Sequence, residues 1–272
     1  MTFSSITFVF YFLPFVLVLY YLSPDRLRNL VLLFLSLVFY AWGELEYVGI
    51  LLFSFGINYF FGRWISIAKT RQQSLYIAGL GVFSNLALLG FFKYTRLLIR
   101  LDEELGLGLG INQPHLPLGI SFFTFQAITY LVDIQRKEIS VEKNPINLAL
   151  YISMFPQIVA GPIIRFKQIA HQLHHRNLTI ENFSQGIRWF IIGMAMKVLI
   201  ADTIGYPAEQ ISYLRPEELT ACIAWVGLFL YSLQIYFDFA GYSNMAIGLG
   251  LMLGFNFPVN FNFPYVSQSI SE

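Results

Sequence analysis

Apolar segments recur from residue 4 to residue 256 of this chain, and no stretch between them is long enough to fold as a soluble domain. That distribution limits the fold more than any motif does. A spanning helix needs about 20 mostly apolar residues. Candidates run over roughly residues 4–22, 29–42, 46–61, 74–92, 117–133, 147–160, 186–201, 221–238 and 239–256. Several fall short of a full span and are expected to be re-entrant or buried within a bundle. Charged residues make up 12% of the 272, against about 25% in an ordinary soluble domain. Too little polar surface is left to cover a globule in water, so the missing solvent is lipid. The expected fold is all-α: a polytopic transmembrane helical bundle with re-entrant or broken helices, organised as a single membrane domain over residues 1–272.

The formal net charge is +1 and no basic run is present, which gives no reason to expect nucleic acid. Cys222 is the only cysteine, so neither an internal disulfide nor a cysteine metal site can form. The first apolar segment is too long and too aromatic for a cleaved signal peptide and lacks a basic leading region; it reads as a retained helix. Arg26 and Arg28 follow the first segment, and Arg63, Lys69 and Arg71 follow the third. By the positive-inside rule these connectors lie in the cytoplasm and the amino terminus lies outside.

Four stretches depart from plain lipid-facing helix. Residues 116–134, LPLGISFFTFQAITYLVDI, place Pro117 and Gly119 at a helix start and Asp133 at its far end. Residues 154–176 interrupt an apolar run with Pro156, Gly161 and Pro162, followed by Arg165 and Lys167. Broken backbone at membrane depth is tolerated where it is buried in protein or lines a cavity. The two cations suit either a phosphate-bearing ligand or lipid headgroups. His171, His174 and His175 lie close enough to share a helix face, but no carboxylate or cysteine stands at matching spacing, and no metal is expected. In residues 186–204 Lys197 sits inside an apolar helix with Asp202 past its end; it either faces a polar partner or snorkels to the interface. Residues 230–258 set Asp238 among Gln234, Tyr236, Tyr242, Ser243 and Asn244. Ala240, Gly241, Gly248 and Gly250 in the same run allow close helix approach. An intramembrane carboxylate with such neighbours is a candidate functional site, or a polar network holding two helices together.

Taken in order, these motifs resemble the membrane-bound O-acyltransferase family in its alginate O-acetyltransferase branch. The resemblance runs from the opening MTFSSITFVFYFLPFVLVLYYLSPDRLRNLVLLFLSLVFYAWGE through FFKYTRLL, LPLGISFFTFQAITYLVDI, FPQIVAGPIIRF and MKVLIADTI to YFDFAGYSNMAIGLGLMLGFNFPVNFNFPYVSQSISE. Met196 stands where a second lysine is common, Asn244 where Asp is usual, and Gln135 where an aromatic is frequent. In the family the SQSISE text is followed by two segments with Trp-His pairs, the second holding the proposed catalytic histidine. None of His115, His171, His174 and His175 lies in such a motif. No catalytic residue is therefore expected before Glu272, and the chain resembles the amino-terminal part of an acyltransferase.

The resemblance implies helices around a tunnel in a bacterial inner membrane. It implies acetyl-CoA, a cytoplasmic acyl-thioester, as acyl donor and a polysaccharide hydroxyl as extracytoplasmic acceptor, with a separate extracytoplasmic acetyltransferase as partner. Asp238, Tyr242 and Ser243 are expected along the tunnel, with Arg165 and Lys197 facing the anionic donor. The competing expectation is a catalytically inactive scaffold or one half of a split enzyme. A transporter is more distant, because no paired half-segments of an inverted repeat are seen.

Overall fold

A computed structural model describes residues 2–106, 115–158, 161–162, 164–262 and 264–269, and every regular element among them is helical. The chain divides into two compact units. A central unit takes Leu19 to Leu173 apart from residues 160–162, and a terminal unit takes the segment up to Val18 and the chain from His174 onward.

In the central unit, α2 (Arg28–Glu44) and α3 (Val48–Ile67) are joined by a 3-10 turn, Leu45–Tyr47. Together they make 40 helical residues, interrupted where Glu44 leaves the helical region at φ −141°, ψ 49°. At 1.5 Å per residue that is about 60 Å, twice the roughly 30 Å hydrocarbon core. Next comes α4 (Arg71–Leu105). The Thr70 hydroxyl accepts the Gln73 N–H at 3.1 Å while the Gln73 amide oxygen accepts the Lys69 N–H at 3.1 Å, a reciprocal cap for its first turn. Gly106 closes it in the left-handed conformation, φ 65°. Inside the unit, Asn58 of α3 and Asn85 of α4 are both buried and exchange side-chain amide bonds of 3.0 and 2.8 Å.

Helix α5 (Ile120–Gln135) begins later than the sequence suggests. Pro117 lies in a turn ahead of it, its carbonyl accepting the Ile120 N–H, and Gly119 serves as the cap at φ 74°. A Cβ on Gly119 would stand 2.2 Å from the Ile158 carbonyl, so both the backbone angle and the packing demand glycine. The broken helix expected near Pro156 is present. Helix α6 (Pro145–Ser153) stops at Met154, whose ψ of 119° leaves the helical region, and α7 (Phe155–Ile158) restarts at once. Leu150, Tyr151, Ile152, Met154, Phe155 and Ile158 have no exposed surface. The Phe155 N–H freed by the break donates to Ser36 Oγ at 3.1 Å. This is the protein-buried setting that irregular backbone needs inside a bilayer. Helix α8 (Phe166–His174) buries Phe166, Ile169 and Leu173 and turns Lys167, Gln168 and His171 outward.

The terminal unit opens with a π-helical turn, Phe8–Phe12, running into α1 (Leu13–Leu22). Pro14 gives this turn a cause: its ring clashes with a regular α-turn before it and it offers no N–H, and the widened turn bonds the Leu13 N–H to Phe8 O. Helix α9 (Ile180–Ala195) continues through a second π turn, Met196–Ala201, into α10 (Asp202–Ser212). Helix α11 (Ala221–Met252) is continuous where two segments, 221–238 and 239–256, were expected. The Ala-Gly-Tyr-Ser run, residues 240–243, was read as allowing close helix approach, and no break is found there. It is a packing notch, where the missing side chains admit α9.

That notch is repeated. A Cβ on Gly193 would lie 2.4 Å from Gly241 O, and one on Gly241 2.7 Å from Gly193 O. One helical stretch away, Gly186 and Gly248 repeat the arrangement at 2.7 and 2.5 Å. Two glycine pairs thus bring the backbones of α9 and α11 into contact, the small-residue packing that drives helix association where water supplies no hydrophobic force.

Candidate functional site

The tight α9–α11 approach decides what the polar residues of the terminal unit can do. Asp238 and Tyr242 are four apart on α11 and share a face. Lys197 reaches that face from the π turn that follows α9. A π turn accommodates one extra residue and so re-aims the side chains it contains; here the Asp202 N–H bonds five residues back, to Lys197 O. The Lys197 Nζ donates to Asp238 Oδ1 at 2.8 Å and to Asp202 Oδ1 at 2.5 Å. An ammonium in an apolar helix is costly unless it meets a partner, and two carboxylates meet this one. The trio carries net negative charge. Lys197 is 26% and Asp238 46% exposed.

One turn farther along α11 the surroundings close. The ring of Tyr242 stacks on Phe3 with centroids 4.4 Å apart and planes at 20°, and Phe3 has no exposed surface. Ser243 is buried as well. Neither the Tyr242 hydroxyl nor the Ser243 hydroxyl finds a hydrogen-bond partner among the described residues. Unmet hydroxyls of this kind are uncommon in native interiors, and they give the neighbourhood of Asp238 two donors with unspent hydrogen-bonding capacity. Beside them the Asn244 amide donates to Met196 Sδ at 3.2 Å. Met196 and Asn244 are two of the positions at which the sequence departs from the family it resembles, and they touch each other.

Arg165 belongs to the central unit. It is exposed immediately before α8, where its N–H donates to Gln168 Oε1 at 2.8 Å and its carbonyl accepts the Gln168 N–H at 3.0 Å. Lys167 is paired with Glu138 at 2.8 Å. The ammonium, by hydrogen bond and charge, holds the Glu138 carboxyl below its ordinary range.

The comparisons with known proteins agree with this arrangement of motifs. The family model described as membrane-bound O-acyltransferase (MBOAT) matches residues 115–272. The chain belongs to the membrane-bound O-acyltransferase family. All of its residues align with the probable alginate O-acetylase AlgI of Azotobacter vinelandii at 42% identity and of Pseudomonas aeruginosa at 44%, covering 55% and 53% of those proteins. The peptidoglycan O-acetyltransferase of Helicobacter pylori is 34% identical over 99% of this chain, which covers 57% of that protein. The chain therefore spans about half the length of the curated relatives it matches. As an MBOAT chain it is a multi-pass membrane protein, and three of its helical stretches, Arg28–Ile67, Arg71–Leu97 and Ala221–Met252, are long and apolar enough to cross a bilayer.

Sequence reasoning found the polar residues of the terminal unit and, in the MBOAT chain's central unit, Asp133, but passed over Thr124, Gln126 and Gln157. Thr124 Oγ1, both amide atoms of Gln126, Asp133 Oδ2 and Gln157 Oε1 are buried without a partner among the described residues. Tyr151, fully buried, donates its hydroxyl to Ile164 O at 2.8 Å within the same unit. Gln126 and Asp133 are seven apart, one helical face of α5, and that spacing within an apolar run was the available signal.

Proposed function

We propose that the protein is a membrane O-acyltransferase that moves an acetyl group from acetyl-CoA on the cytoplasmic side to a hydroxyl of an extracytoplasmic polysaccharide. The observation that carries the reading is the alignment of every residue with alginate O-acetylases, together with an intramembrane polar cluster built by the most closely packed helix pair of the terminal unit.

Acyl transfer to a hydroxyl needs a base for the attacking O–H and donors for the oxyanion. The resemblance assigns the base to a histidine in a motif that none of the four histidines here occupies. The part of this chain is placement. The Asp238 carboxylate, fixed by Lys197, accepts a hydrogen bond from a polar acceptor group, the Tyr242 hydroxyl supplies a donor on the same face of α11, and the Ser243 hydroxyl supplies another on the neighbouring face. Lys197 already answers two carboxylates, so it serves Asp238 rather than an incoming anion. Arg165, exposed and forming no ion pair with a described residue, is the residue on offer to the anionic donor. In a bacterial inner membrane the acetyl group is then passed on with a separate extracytoplasmic acetyltransferase as partner.

The test uses membranes from cells expressing the gene, supplied with acetyl-labelled acetyl-CoA and alginate or another hydroxyl-rich polysaccharide. Alkali-labile label is expected in the polysaccharide. Asp238→Asn is expected to lower it about tenfold or more at equal amounts of folded protein, since misplacing a positioned group by about 1 Å can cost a hundredfold. Absence of label from every polysaccharide overturns the acceptor class, and undiminished transfer by Asp238→Asn removes Asp238 from the site.

A further inference from the structure

The ends of the central-unit helices sort the charges of its connectors. The end of α3, the start of α4 and the connector after α5 line one cavity of about 920 Å³. Lys69, Thr70 and Arg71 come to it from the first connector, and Arg136, Lys137 and Ser140 from the second. Successive passes bring these two connectors to the same side of the bilayer, which by the positive-inside rule is the cytoplasmic side.

Four of those lining residues are cations. Lys69, Arg71, Arg136 and Lys137 are all exposed, and none forms an ion pair with a described residue. The acid in the lining, Glu138, is already taken by Lys167. The cleft therefore holds positive charge without compensation. Its second wall is fixed: the N–H groups of Arg136, Lys137 and Glu138 each donate at 2.9 Å to carbonyls of the last turn of α5. Lys137 is held at φ 62°, the only non-glycine residue in the left-handed region among the described residues. It is the left-handed residue of the Schellman cap that ends α5, closed by the Glu138 N–H to Asp133 O and the Lys137 N–H to Ile134 O bonds. The opposite wall is the amino-terminal end of a 35-residue helix, which adds positive potential.

From this geometry we propose that the cleft binds a phosphate-bearing anion. Two guanidinium groups suit paired contacts to phosphate oxygens, and two ammonium groups add point charge. The volume falls in the range of sites for molecules of cofactor size. The same chemistry is offered by the headgroup of an anionic phospholipid and by a soluble phosphate compound of nucleotide size. The inference stands on the cleft alone and is tested by binding, separately from acetyl transfer.

The full chain is purified into phosphatidylcholine nanodiscs and presented with two probes. One is adenosine 3′,5′-bisphosphate, followed by calorimetry; the other is phosphatidylglycerol mixed into the bilayer, followed by its retention in native mass spectrometry. Binding of at least one probe in preference to its neutral counterpart, adenosine or phosphatidylcholine, is expected. Lys69→Ala with Arg136→Ala, and independently Arg71→Gln, are expected to weaken that binding about tenfold or more, the loss of one charge-assisted contact. Arg215→Ala, a cation of the terminal unit paired with Glu218, is expected to leave it unchanged. Dependence of the bisphosphate on the cleft assigns a soluble ligand, and dependence of phosphatidylglycerol assigns a lipid. If neither probe is preferred over its neutral counterpart, or if folded cleft variants bind as the wild type does, the proposal is overturned.

Discussion

Replacing Gly193 by alanine tests whether the α9–α11 contact is as close as the geometry requires. The new Cβ would stand 2.4 Å from Gly241 O, 2.6 Å from Met245 N and 2.9 Å from Met245 Cγ, where ordinary contact begins at 3.4 Å. Two of these atoms are backbone and cannot rotate away, so the helices must part by about 1 Å, a gap that forfeits a quarter to a half of each van der Waals contact along the seam. A destabilisation of about 1–3 kcal/mol is expected, in the range of other overpacked sites. Gly241→Ala should cost a similar amount. The double variant should cost less than the sum, because one separation of the helices relieves both clashes. The assay is reversible unfolding in mixed micelles titrated with dodecyl sulfate. Gly56→Ala is the control: nothing lies within 4 Å of its Cβ position, and the change should be neutral or stabilising by up to about 1 kcal/mol. If Gly193→Ala unfolds with Gly56→Ala, or if the two seam substitutions simply add, the helices are not held by backbone contact and the reasoning fails.

The Met196–Asn244 contact predicts that Met196→Lys and Asn244→Asp each destabilise alone, by stranding a charge, while the double variant recovers stability with a coupling of about 0.5–3 kcal/mol; the same unfolding assay checks it. Asn58→Leu should leave the Asn85 amide oxygen without its donor and cost about 1 kcal/mol, with Asn58→Leu plus Asn85→Leu costing less than either deletion would suggest. Glu138 gives a pH signature. Its folded pKa lies below the unfolded one because of Lys167, so its stabilising contribution is complete above the unfolded value and disappears as pH falls through the folded value. Hydrogen exchange of the 136–141 connector should show protection lost on acidification, and Lys167→Met should abolish that pH dependence.

How much of this was legible in the sequence depends on whether the signal was local. Asp238 and Lys197 announced themselves because each is a charge within an apolar helix. That they meet was not legible, since helical periodicity assigns a residue to a face and says nothing of which helix lies opposite; the π turn at Met196–Ala201 that aims Lys197 also leaves no compositional mark. The break at Met154 was foreshadowed by Pro156, a residue whose backbone effect is local. The small residues of α11 were legible as sites of close helix approach, but which helix they admit was not. The basic cleft was hidden for another reason. Lys69 and Arg71 read as a topology signal, and Arg136 and Lys137 lie in a different connector, so only the fold shows that the two pairs line one cavity.

The reciprocal amides of Asn58 and Asn85 bear on how the chain enters the bilayer. Each asparagine already donates back to its own turn, Asn58 to Ser54 O at 2.7 Å and Asn85 to Gly81 O at 2.8 Å, so on an isolated helix in lipid it is the amide oxygen that would lack a donor. Leaving the insertion channel as a hairpin, α3 and α4 satisfy each other before either faces acyl chains. The short turn between Ile67 and Arg71 keeps the second helix within reach of the first during synthesis. Biogenesis would then treat the two helices as one cargo, and lengthening that turn would delay integration of α3 even with every residue of both helices unchanged.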